Sequence, residues 1–290
     1  MSTTRRSGAG TLRVLDQADL PELTALFRRD PVANLFVASR VASLGLTPQR
    51  LGCAIYGYHV GGELAAACHV GANLVPIEAD REAVGAFVEA IGPRRRISSI
   101  MGPATVVQQL HQGLTERWGN SWGRARDVRP HQPLMVIDHD PQLEGDPRVR
   151  RIELEDYEPY LRAAVAMYTE EVGVTPLDGG GGYQRYVRLL IQMGHAMGAV
   201  HKPAGAPARV WFKSDIGSAW SGYCQVQGVW LTPELRGRRL SVAAMSQVVR
   251  LCRQQFPVVS LYVNDYNTRA RRLYEGLGFA TVGELATVLY

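Results

Sequence analysis

Several things are missing from this chain, and each absence removes a class of function. No run of apolar residues is long enough to cross a bilayer, which argues against a membrane-spanning helix. The opening residues, MSTTRRSGAG, carry two arginines with no apolar stretch behind them, so no secretory signal is expected and residues 1–10 read as a disordered tail. Cysteine is sparse: Cys53, Cys68, Cys224 and Cys252 stand far apart, with no C-x-x-C pair. That spacing speaks against a disulfide framework or a metal site, and for small buried side chains in a reducing, cytoplasmic setting. The seven histidines are scattered too, and no metal is expected. Lysine is scarce, so arginine supplies nearly all of the positive charge behind the net +5.

The arginines cluster at Arg94–Arg96, at Arg124, Arg126 and Arg129, and at Arg148, Arg150 and Arg151. Such patches can hold nucleic acid through its phosphates. No nucleic-acid fold signature surrounds them, so they read as solvated loops and nucleic acid is not expected as a partner. At 290 residues, 46% hydrophobic and 20% charged, the chain suits two domains of ordinary size with real cores.

Hydrophobic periodicity gives a mixed order of elements. A strand over 11–15 leads to a helix capped by Asp16, with a second helix over 34–44. Strands over 51–58 and 63–70 flank the Gly61-Gly62 turn as a hairpin. Helices follow at 81–91 and 104–118, with strands at 97–101 and 134–137. The polar, proline-containing stretch 139–150 reads as a linker. The order then restarts: strand 151–154, helix 157–171, a glycine-rich loop 179–182, helix 183–193, and strands 196–200, 208–216 and 223–231. Helix 241–255, strand 258–263, helix 268–277 and strand 286–290 finish it. Both halves open strand, helix, helix, strand, strand, which indicates a tandem duplication with domains at 11–138 and 151–290.

Residues 225–241, QVQGVWLTPELRGRRLS, place an apolar strand, a proline break and an arginine- and glycine-containing turn just before an amphipathic helix. Helix-start N–H groups with the dipole behind them favour an anion, and guanidinium groups pair well with phosphate. A second block, LYVNDYNTRARRLYEGLGF, follows at 261–279.

Together the two blocks resemble the cofactor-binding half of the GCN5-related N-acetyltransferase (GNAT) superfamily. The C-terminal half is similar to its glycine N-acyltransferase-like branch, and the whole chain to actinobacterial two-domain members with a degenerate N-terminal half. The implied fold is α/β: tandem domains, each a mixed, mostly antiparallel central sheet flanked by helices. The implied activity is transfer of an acetyl group from acetyl-CoA to a primary amine of a small molecule, amino acid or peptide. Attack would be direct, within a ternary complex.

In the family the phosphate turn reads Q/R-x-x-G-x-G/A; here Arg236, Gly237, Arg238, Arg239, Leu240 and Ser241 occupy it. Arg239 stands where glycine is usual, and either adds a phosphate contact or obstructs one. The resemblance further implies that the backbone of Val229, Trp230 and Leu231 binds the pantetheine arm and thioester. Asn267 would contact the arm, and the Tyr274 hydroxyl would serve as acid near the sulfur. A simple helix cap for Asn267 and a core role for Tyr274 compete with those roles. Gln225 and Gln227 occupy the strand where relatives carry a glutamate, so no base is found there. Glu171, beside Glu170 at the end of a helix, is the preferred base, with an ordinary exposed carboxylate as its rival. The altered turn and missing glutamate leave a second reading open, a non-catalytic acyl-CoA-binding or regulatory module.

Overall fold

The structure is a computed structural model that describes residues 10–177 and 179–290, so the tail expected over 1–10 lies, but for Gly10, outside the described residues. The chain forms two compact units that do not follow its order. One comprises residues 1–134, 262–266 and 281–290; the other comprises 135–261 and 267–280.

The first unit contains β1 (Thr11–Val14), α1 (Leu20–Phe27), α2 (Leu35–Leu44), α3 (Pro48–Leu51), β2 (Ala54–Val60), β3 (Glu63–Val70), β4 (Asn73–Ile77), α4 (Arg81–Ile91), β5 (Ser99–Pro103), α5 (Ala104–Trp118) and α6 (Asn120–Gly123), with the start of β6 (Asp127–Ile137). The antiparallel ladder β1-β2-β3-β4 continues through a parallel step to β5. Leu74, Phe87, Ile100, Val107, Leu110 and Trp122 are buried between the sheet and helices α4 and α5.

The second unit contains β7 (Val149–Arg151), α7 (Tyr157–Val172), α8 (Gly182–Gln192), β8 (Ala196–His201), β9 (Arg209–Trp220), β10 (Tyr223–Leu231), α9 (Leu240–Arg253), β11 (Val258–Tyr262) and α10 (Thr268–Leu277). Its strands run in the order β11-β10-β9-β8-β7, antiparallel except for the β10–β11 step. Ile152, Tyr160, Ala164, Val187, Ile191 and Val210 form the core under α7 and α8. The mixed, mainly antiparallel sheets flanked by helices are as the sequence leads one to expect.

Three features differ from the sequence expectations. The last strand, β12 (Ala280–Leu289), begins earlier and pairs with β5, with Leu285 opposite Pro103 and Leu289 opposite Ser99. The C-terminal residues therefore complete the first unit rather than the second, because nonlocal strand pairing outweighs chain order. The stretch 139–150 is not a free linker. Ser246 Oγ donates to the Leu143 carbonyl (2.6 Å), Arg250 to the Pro141 carbonyl (2.6 Å), and the Asp146 N–H to the Ala243 carbonyl (2.9 Å), which straps it along α9. Finally, β4 forms although Pro76, which cannot donate to a ladder, sits inside it.

Candidate functional site

The second unit carries the residues singled out in the sequence, and β10 organises them. Beside β11 its parallel register runs only from Tyr223 (opposite Val258) to Gln225 (opposite Ser260). On its other edge the register with β9 shifts twice, between Gln225 and Val226 and between Gln227 and Trp230. The second shift holds Gly228 at φ 60°, a left-handed conformation that glycine adopts without steric cost. So Val229, Trp230 and Leu231 leave the bulge on a strand that has parted from β11. Past the bulge no ladder pairing with β11 is seen among the described residues, and on that side the Leu231 carbonyl accepts from Arg236 Nε.

Beneath the bulge lies a polar group that the sequence does not announce. Lys213, one of only two lysines in the chain, is fully buried on β9. Its Nζ lies 2.5 Å from Asp215 Oδ2 and donates to the Gly228 carbonyl at 3.1 Å. Tyr160 donates from its hydroxyl to Asp215 Oδ1 at 2.6 Å. A Cβ added at Gly228 would come within 2.9 Å of Lys213 Nζ and 3.1 Å of Asp215 Oδ2, so the close approach also requires glycine. A buried charge pair is tolerated only with such hydrogen bonding around it. Here the lysine ties one strand's charge to its neighbour's irregular carbonyl.

After β10, Pro233 opens a short 3₁₀ turn and the chain reaches α9 through Arg236 to Arg239. Gly237 has φ 80° and Arg239 has φ 60°, ψ 12°. Arg239 thus adopts the left-handed shape that glycine would supply, a conformation costing a side-chain-bearing residue roughly 1 kcal/mol or more. No side chain caps α9. Among the described residues no carboxylate caps these first amides, and the dipole favours an anion at that end. A shallow depression of about 300 Å³ opens there, lined by Leu143, Glu144, Arg239, Val242 and Ala243. Arg238 and Arg239 are exposed, and no ion-pair partner is seen for either among the described residues.

Arg236 is committed elsewhere. Its guanidinium binds both Glu170 oxygens at 2.7 Å, and its Nε donates to the Leu231 carbonyl at 3.0 Å. Trp230 Nε1 donates to the same carboxylate at 3.1 Å. The Arg236 hydrogen bonds hold the Glu170 carboxyl below its ordinary range. Glu170 therefore fastens the end of α7 to the turn, while the adjacent Glu171 acts on a different pair of groups.

Tyr274 on α10 is 7% exposed, with its ring 5.8 Å from Phe279. Burial, helped by the negative charge of Glu171, pushes its hydroxyl up to about 12. Glu171 also raises Tyr183, behind the larger effects of burial, Asp215, Tyr186 and Tyr168. Asn267 caps α10, its Oδ1 accepting from the Ala270 N–H at 3.1 Å. Tyr183 lies on α8, and its hydroxyl donates to the Ala164 carbonyl at 3.1 Å. Its ring meets Tyr168 edge-on and lies tilted against Tyr186, and Gln227 Nε2 donates to the Tyr186 hydroxyl at 2.8 Å. The cross-strand register that sets Gln227 opposite Asp215 is what sequence reading misses at this wall of the site.

Among the described residues, no three His, Cys, Asp or Glu side chains come together as a metal-binding group, and no helix is long and apolar enough to cross a membrane. Residues 193–279 match the model of the Acetyltransferase (GNAT) family, and residues 53–160 match that of a domain of unknown function (DUF4081). Comparison with curated proteins finds no match. Among solved structures, the chain is similar to a GCN5-related N-acetyltransferase from Sphaerobacter thermophilus, with TM-score 0.60, 16% identity, and 97% of this chain and 95% of that one covered. It is also similar to an acetyltransferase of the GNAT family from Colwellia psychrerythraea (TM-score 0.57, 12% identity, 97% and 99% covered). A tandem GNAT protein from the clavulanic acid biosynthesis pathway matches with TM-score 0.54 and 12% identity over 96% of this chain and 98% of that one. At these identities the likeness is one of fold.

Proposed function

We propose that this chain, whose residues 193–279 match the Acetyltransferase (GNAT) family, is an acetyl-CoA-dependent N-acetyltransferase acting on a primary amine. The observation that carries the reading is the pairing of a bulged β10, parted from β11 after Gln225, with an uncapped α9 entered through a left-handed Arg239. Acetyl-CoA, when bound, would supply a thioester acyl group. The residues fit such a guest. Over Val229, Trp230 and Leu231, the Val229 backbone and the Leu231 N–H offer hydrogen bonds to an extended amide-bearing arm, the Leu231 carbonyl being held by Arg236. The turn from Arg236 through Gly237, Arg238, Arg239 and Leu240 to Ser241 offers amides and two uncommitted guanidinium groups to a pyrophosphate. Arg236 contributes through its backbone, because Glu170 occupies its side chain. Asn267 fixes the start of α10 and so the rise of Tyr274.

Catalysis would divide between two residues. Tyr274, pushed up to about 12, keeps its proton at neutral pH and suits donation toward a developing thiolate. Glu171, a carboxylate whose charge is felt by Tyr274, suits removal of the amine's proton, directly or through water. An acceptor amine would meet the wall made by Tyr186, Gln227 and Tyr183. Isothermal titration with acetyl-CoA tests the reading: saturable binding is expected, and no heat at high-micromolar ligand would overturn it. Binding without CoA release across a broad amine panel would favour a non-catalytic acyl-CoA-binding module. A Tyr274→Phe variant with an unchanged transfer rate would remove the acid role.

A further inference from the structure

The first unit carries a thiol and an imidazole in contact, and neither takes part in the site described above. Cys53, partly exposed just ahead of β2, lies with its Sγ 3.1 Å from Nε2 of His69, which is 3% exposed on β3. The other ring nitrogen, Nδ1, lies 3.0 Å from the Asn73 carbonyl. A carbonyl only accepts, so Nδ1 carries the hydrogen and Nε2 presents its lone pair to the thiol. Phe36 on α2 packs edge-on against the imidazole, at 5.9 Å between ring centroids, and Arg40 lies over Phe36. Arg40 donates to the Leu51 carbonyl at 2.9 Å, yet its buried Nε finds no partner among the described residues. Its positive charge favours the thiolate of Cys53 and disfavours a charged His69. Gly71 closes over the pair, where an added Cβ would meet Cys53 Cβ at 2.8 Å and His69 Cε1 at 2.9 Å.

A nucleophile, a base within hydrogen-bond reach and a third group that fixes the base are the parts of a general-base-activated thiol. We propose that Cys53 and His69 form a nucleophilic centre that exchanges thiols with electrophiles bearing a thiolate leaving group, namely thioesters or disulfides. Burial raises the thiol and lowers the imidazole, so the resting pair is neutral and the proton moves during attack. His69 Nε2 takes the thiol proton as Sγ bonds to the acyl carbon or to one disulfide sulfur. The bond from that atom to the leaving sulfur breaks, and the departing thiolate recovers the proton from Nε2. No outside oxidant or reductant is required. The other three cysteines are buried, and Cys68, pushed up to about 12, is shielded from such chemistry.

The test uses the full chain, acetyl-CoA in one arm and hydroxyethyl disulfide in the other, with peptide mass mapping of each cysteine over time. Modification of Cys53 is expected on the order of tenfold faster or more than that of the buried cysteines, and general-base removal of its proton by His69 is expected to carry it past glutathione's thiol as well. His69→Gln should slow it roughly 10- to 100-fold, while Phe36→Leu, which loosens the packing but keeps the base, should change it little. A hydroxylamine-sensitive acetyl group on Cys53 identifies thioesters as the co-reactant, and a mixed disulfide alone identifies disulfides. The proposal fails if neither forms, if Cys53 reacts no faster than glutathione, or if both variants slow it equally.

Discussion

The two units open alike and diverge where a strand hands over to a helix. Each begins with a strand arginine that reaches an aspartate six residues on: Arg13 to Asp19 (2.6 Å) in the first, Arg150 to Asp156 (2.5 Å) in the second. Both aspartates are buried and both close a 3₁₀ turn that leads into the first long helix. The later junctions differ. From β4 to α4 the chain crosses in three residues, 78–80, and the Asp80 carboxylate accepts from the Ala83 N–H at 2.9 Å. From β10 to α9 it takes eight, 232–239, and brings two exposed arginines with no ion-pair partner, and no side-chain cap, among the described residues. The β3–β4 register is unbroken, whereas β9–β10 shifts twice. A helix start already satisfied by a carboxylate repels phosphate, and a straight strand has no free edge for a guest. What separates the units is therefore a cap and a bulge, on a shared framework.

The largest effect is expected where the bulge is held. Lys213→Met leaves Asp215 buried without its cation, which costs about 3–5 kcal/mol. Urea unfolding should show that loss, and Lys213→Met with Asp215→Leu should recover part of it. A single variant as stable as the parent would mean that the bulge stands without the pair. The shared corners come next. Arg13 holds the Asp19 carboxyl down to about 2. Its contribution is full above the unfolded value near 4 and is lost as pH falls through about 2. Allowing for the half-exposed Arg13, that is on the order of 1–2 kcal/mol. At Asp156 burial alone would raise the carboxyl, but Arg150 and Lys202 overcome it and hold it low. Asp19→Asn should flatten the loss of stability between pH 4 and pH 2, and Asp156→Asn should likewise flatten a loss that sets in as pH falls below the ordinary carboxylate value. If only one does, the corners are not equivalent.

Much of this was legible in the chain. The strand, turn and helix around residues 225–241 and the Asn267–Tyr274 spacing follow from local periodicity, because a helix start and a helix face are written in adjacent residues. The repeated spacing of Arg13 with Asp19 and Arg150 with Asp156 is also present in the sequence, and sets the two openings side by side more sharply than element order does. Lys213 and Asp215 were not legible as a site. Two residues apart on a strand they share a face, but only the register with Gly228 shows why they are buried together. Glu170 and Glu171 look interchangeable on paper. A difference of about 100° around α7 sends one to Arg236 and leaves the other acting on Tyr274. The destination of β12 was hidden for the same reason, since its partner β5 lies about 180 residues earlier.

Exchanging the caps sharpens the comparison directly. Arg239→Asp gives α9 the carboxylate that Asp80 gives α4, and acetyl-CoA affinity should fall roughly tenfold or more in titration, with folding stability kept. Unchanged affinity would show that the helix start does not hold the anion. Arg239→Gly removes the cost of a left-handed arginine and should add about 1 kcal/mol of stability. Its affinity then decides whether the arginine side chain itself contributes. In the first unit, Asp80→Ala should cost about 1 kcal/mol and create no acetyl-CoA site.

The smallest expected effect concerns the clamp peculiar to the second unit. Glu170 and Arg236 are both partly exposed, so their pair is worth under about 1 kcal/mol in stability and weakens with salt. Its value lies in placing the turn: with Arg236 drawn to Glu170 and to the Leu231 carbonyl, residues 237–241 stay in one arrangement before any anion arrives. The Glu170 carboxyl is held below its ordinary range. The clamp is therefore intact above the unfolded carboxylate value and is lost as pH falls through the lower, folded one. Glu170→Gln should leave the unfolding midpoint nearly unchanged at neutral pH while weakening acetyl-CoA binding a few-fold, chiefly through a slower association rate. An equal loss in Glu170→Gln and in a variant of the exposed pair Arg117–Glu89, remote in sequence and in the other unit, would show that only net charge matters. A loss confined to Glu170→Gln, and insensitive to salt once the ligand's own salt dependence is subtracted, would show that the clamp preorganises the turn.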